Sequence, residues 1–137
     1  MAHPDAELVI RNWLLTESTV TALVGTHVAT TMPTAMTFPF VIVQLIRQDP
    51  DAGEAPVIQA WVQVDCYSKK KDYATASRLA RIIWDAAEAF TNRTVTVTGD
   101  TSAHVYGITL NNLRRLPEPE TEWARYMLDL SVTMRSV

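Results

Sequence analysis

WVQVDCYSKKKDYATASRLARII, residues 61–83, carries two periodicities in succession. In its first seven residues Val62, Val64 and Cys66 alternate with Trp61, Gln63, Asp65 and Tyr67. A period of two sends strand side chains to opposite faces of a sheet. Past Lys69-Lys70-Lys71 the period lengthens. Tyr73, Ala76, Ala80, Ile83, Ala87 and Phe90 recur at spacings of three and four, and Leu79, Ile82 and Trp84 widen the stripe, so one long helix is expected over about 70–91. Asp72 suits the positive end of that helix, and Asn92 suits the cap at its other end. The stretch therefore reads as a strand handing over to a helix. Val62, Val64 and Cys66 are expected to pack inward against Leu79, Ala80 and Ile83, with Asp65 and Tyr67 facing away, towards water or another subunit.

Working outward, DAELVIRNWLLT at residues 5–16 has Ala6, Val9, Ile10 and Trp13 at helical spacing after Pro4-Asp5. TVTALVG is a short helical turn ending at Gly25, and residues 26–31 can form a short strand. Pro39 leads into FVIVQLI, a β-branched run that reads as a buried strand. QDPDAGEAP, 48–56, is a turn, so the strands at 40–47 and about 57–67 form a long hairpin. Strands are expected at about 94–98 and 103–111. LPEPETE is a second proline-acid loop, and Tyr126 to Met134 alternate as a last strand. The expectation is one domain over 1–137 of the α+β class, an antiparallel or mixed sheet packed against one long helix with a short N-terminal helix.

Composition narrows the function. The chain has 137 residues, 47% hydrophobic and 20% charged, with a net charge of −3 and a pI near 5.5. A nucleic-acid binder acting by itself carries a basic excess, and this chain carries none. No segment approaches the roughly 20 apolar residues of a membrane span. MAHPDAELVI lacks a basic start followed by an apolar core, so no secretory signal is expected. A single cysteine forms no internal disulfide, which fits synthesis in a reducing cytoplasm.

Chemistry finds little to stand on. His3, His27 and His104 are far apart and lack the close pairing of metal ligands. Four glycines, at 25, 53, 99 and 107, build neither a phosphate loop nor a nucleophile elbow. Asp65 has no catalytic partner nearby in the sequence, and Cys66 shares its face with valines, which disfavours a reactive thiolate. No enzyme activity, cofactor or metal is expected. Lys69-Lys70-Lys71 with Arg78 and Arg81 read as a solvated charge run. The loops are more informative. Arg47, Asp49, Asp51 and Glu54 lie on one, and Arg114, Arg115, Glu118, Glu120 and Glu122 on another. Opposite-sign patches on separate loops can mate head to tail between identical subunits and close into a ring. They also serve simple solubility, and surface charge alone does not choose between the two.

The chain resembles the tail terminator, or tail completion, proteins of long-tailed bacteriophages. The likeness rests on the N-terminal helix AELVIRNWLL, the strand PFVIVQLI, the strand ending VQVDCYSK, the helix DYATASRLARIIWDAAEAF and the closing strand RYMLDLSVTMRSV. These are structural motifs without a catalytic signature. The resemblance implies a virion protein, assembled in the bacterial host cytoplasm, that forms a homo-hexameric ring on the end of the tail tube. The ring would end tube polymerisation and offer a surface for head attachment. Implied partners are further copies of the chain, the major tail tube protein and head–tail connector proteins, with DNA threading the lumen as a non-specific contact and no membrane. Interface residues expected on this basis are the two loop sets with Trp61 and Trp123 as apolar anchors. Two alternatives stand beside it: another neck or connector component, and a small enzyme or ligand-binding domain using Cys66 or a histidine.

Overall fold

Asp5 accepts the Glu7 N–H at 2.9 Å and so caps α1, Ala6–Thr16, whose Ala6, Val9, Ile10, Trp13 and Leu14 are buried. α2, Ser18–Val24, ends at Gly25, where φ of +59° favours the residue without a Cβ. Then come β1 (Val28–Ala29), β2 (Phe40–Pro50) and β3 (Ile58–Lys70). α3, Tyr73–Glu88, is capped by the Asp72 carboxylate, which accepts the Thr75 N–H. β4 (Arg93–Val95), β5 (Ala103–Leu116) and β6 (Trp123–Ser136) complete the chain. This computed structural model describes residues 3–34, 37–50 and 57–137.

The six strands form one sheet in the order β1-β2-β3-β6-β5-β4, antiparallel except for the β1–β2 pair. β3 pairs along its length with both β2 and β6, so it lies inside the sheet. Register shifts interrupt β2 between Leu45 and Arg47, and β5 between Leu110 and Asn112. Both flank one rung, Val62 opposite Leu130. An extra residue in a strand sharpens its twist and bend. Two on one rung help to curl the sheet into its half-barrel.

This corrects the expected α+β arrangement. The fold is mostly β: four strands of 11, 13, 14 and 14 residues dominate three short helices of 11, 7 and 16. Among the described residues no single long helix covers the sheet. α1 packs on β2 and β3, α3 packs on β3, β5 and β6, and α2 joins α1 to α3 in the same core. The physical reason lies in the strand ends. Backbone pairing carries β3 to Lys70 and β5 through Asn111, Asn112, Arg114 and Arg115, where alternation of apolar residues has already stopped. The expected 70–91 helix is correspondingly shorter, and Ala89 rather than Asn92 takes its C-cap.

The inward half of the 61–83 reading is as expected: Val62, Val64, Cys66, Leu79, Ala80 and Ile83 are buried in one core. The outward half is corrected. Asp65 is 2% exposed and Tyr67 5%, because a second small core forms on that face. It joins Phe40, Ile42 and Tyr67 to Phe38, Ala29 and Trp123. Phe40 stacks on Tyr67 with centroids 4.9 Å apart, and Trp123 meets Tyr67 edge-on at 6.0 Å.

Candidate functional site

β2 and β3 are antiparallel, and their last rung, Pro50 opposite Ile58, lies at one end of the sheet. The register from Phe40 to Tyr67 to Arg125 to Leu116 places the β5–β6 loop at the other end. Arg47 and Asp49, near the last rungs of β2, and Glu118, Glu120 and Glu122, between β5 and β6, thus lie towards opposite ends of one sheet.

At the first end the Arg47 Nε donates to Asp49 Oδ2 at 2.9 Å, and the guanidinium sits 4.2 Å from the Trp61 ring centroid. Both charged side chains of that pair stay largely in water, where such pairs add little stability and remain available to a partner. Trp61 is half-buried beneath Arg47. Asp51 and Glu54 lie outside the described residues.

At the other end the arrangement is tighter. Arg125 donates from Nε to Asp65 Oδ1 at 3.0 Å and from Nη1 to Glu118 Oε1 at 2.8 Å. Gln63 Nε2 donates to the second oxygen, Asp65 Oδ2, at 2.9 Å. One guanidinium therefore clamps β3, β6 and the β5–β6 loop together. Lys70 Nζ lies 2.9 Å from Glu122 Oε2, and the Arg115 guanidinium lies 3.5 Å from the Tyr73 ring centroid. Arg114 and Glu120 are exposed. Trp123 belongs to the small aromatic core. Arg125 was not among the expected site residues. Its signal was indirect: Gln63 and Asp65 share a strand face, and a buried carboxylate demands a cation.

Lys71 and Glu122 both have left-handed backbone, with φ of +62° and +58°. The Lys71 N–H donates to the Glu122 carbonyl at 3.1 Å, so the two strained residues hold each other at the sheet's end. Lys71→Gly is expected to raise stability by about 1 kcal/mol, since glycine adopts that φ without a Cβ clash. A denaturation midpoint that falls instead would show that the Lys71 side chain itself stabilises this corner.

Cys66 is fully buried, and desolvation, with the Asp65 charge as a lesser cause, pushes its thiol well above the ordinary cysteine range. A thiol reagent is expected to leave it untouched in native buffer and to label it in denaturant. Cys66→Ala is expected to cost roughly 1–2 kcal/mol, as a modest core truncation. Burial also pushes the Tyr67 phenol up to about 12, while Arg125 draws it down. The histidines are dispersed. His27 Nδ1 is 2.8 Å from the Val24 carbonyl, His104 stands edge-on to Tyr106, and His3 is exposed near β2. Among the described residues no three His, Cys, Asp or Glu side chains gather as metal ligands.

The family described as tail completion protein gp17 matches residues 9–135, and the chain belongs to that family. It is therefore a phage tail structural protein, of a family that is not an enzyme class. The resemblance drawn from the sequence is confirmed. Among solved structures, a chain of the "Virion of native gene transfer agent (GTA) particle" shares the fold. The two are 16% identical, with a TM-score of 0.63 over 95% of this chain and 92% of that one. No curated protein sequence matches the chain significantly.

Proposed function

We propose that six copies of this chain form a closed ring that caps the phage tail tube, ends its polymerisation and presents the surface to which the head attaches. The observation that supports this reading is that, in a tail completion protein, the exposed Arg47–Asp49 pair and the 117–122 loop lie towards opposite ends of one sheet. A ring with its strands along the axis offers two unlike faces, as a cap between tube and head requires. Arg47, Asp49 and Trp61, with Asp51 and Glu54 on the same hairpin, serve one face. Arg114, Arg115, Glu118, Glu120, Glu122 and Trp123 serve the other. Partners are the major tail tube protein on one side and connector proteins on the other, with DNA passing the lumen without sequence specificity. Assembly takes place in the host cytoplasm, where a finished tube end supplies a multivalent template.

Light scattering at rising concentration is expected to reveal a ring-sized species, and purified particles are expected to contain the chain. A protein that stays monomeric at every concentration and is missing from particles would defeat the proposal. Recovery with the neck but not with tubes would favour a different connector role.

A further inference from the structure

Resting on the ring reading, we infer that neighbouring copies meet side to side, the β2 edge of one against the β5 edge of the next. β1 covers β2 only at Val41 and Ile42, and β4 covers β5 only at residues 103–105. Among the described residues no strand pairs with the remainder of either edge. The uncovered windows are level. Val43 leads through Val64 and Leu128 to Leu113, and Asp49 leads through Gln59 and Thr133 to Gly107. The same rungs are therefore open on both flanks of the molecule.

Direction agrees as well. β2 and β6 run one way and β3 and β5 the other, so rotation about an axis along the strands lays β2 antiparallel to the next copy's β5. The contact is made by side chains rather than by a continuous ladder. The Leu45 N–H on the β2 edge already donates to Glu7 Oε2 at 2.8 Å, which blunts that edge for strand addition. At the same rung the bulge exposes Leu45 by 38% and Ile46 by 59%, and Leu110 and Asn111 stand level on β5. The partner is accordingly a second copy of this chain in a heterologous contact, with Ile46 entering beside Leu110 and Asn111.

The buried Cys66 leaves the chain silent to oxidation at the surface, so introduced cysteines report the contact directly. Ile46→Cys and Asn111→Cys proteins, each made separately and then mixed under assembling conditions or in particles, are expected to form a covalent dimer only when both are present. Ile46→Asp is expected to weaken assembly at least tenfold while leaving the melting midpoint unchanged. Assembled rings that give no mixed cross-link, or that link Ile46→Cys to itself, would overturn this seam and leave the ring standing. Absence of any assembled species would remove the ring and the seam together.

Discussion

Arg125→Met is expected to lower the stability of this domain by about 3–5 kcal/mol. Asp65 is 2% exposed, and among the described residues the side-chain partners of its carboxylate are Gln63 and Arg125. Removing the guanidinium leaves a charge in a site that water does not reach, a far larger cost than loss of a surface pair. The same substitution frees Glu118 and with it the loop between β5 and β6. A second variant separates pairing from packing. Asp65→Leu combined with Arg125→Met removes both charges and is expected to recover most of the loss, because a well-packed apolar replacement of a buried pair is often neutral. Urea denaturation midpoints of the two variants check this. Equal losses in both would show that shape, and not the stranded carboxylate, sets the cost.

Trp13→Ala is expected to cost about 3–5 kcal/mol, comparable to other large aromatic truncations in packed cores. Trp13 is fully buried on α1, meets Phe90 edge-on at 5.9 Å, and donates its indole N–H to Glu17 Oε1 at 2.9 Å. The size of this effect follows from the three-helix cover. Were α3 alone responsible for the core, a truncation on α1 would be mild. Thermal unfolding monitored by circular dichroism decides it, and a loss below 1 kcal/mol would contradict the shared cover.

The legible and illegible parts of this protein divide along a physical line. Val62, Val64 and Cys66 alternate over a short span, and Ala76, Ala80 and Ile83 repeat over a few turns, so their facing core could be read locally. Strand β5 beyond Leu110 could not, because ladder bonds to β6 hold Asn112, Arg114 and Arg115 extended irrespective of their polarity. Asp65 looked like a solvent-facing residue for a related reason. Its partner Arg125 is 60 residues away, and the aromatic cover from Phe40 and Trp123 comes from strands on either side. The charged segments were found by composition, but the placement of Arg47 and Asp49 towards one end of the sheet and of the 117–122 loop at the other needed the strand order. The level windows on β2 and β5 needed the full register.

Tail length in particles made without this chain is the measurement that bears most directly on the proposed role. Tubes are expected to grow past their normal length and to remain unjoined to heads, with both defects repaired when the chain is supplied. Tails of normal length, attached to heads in the chain's absence, would contradict it.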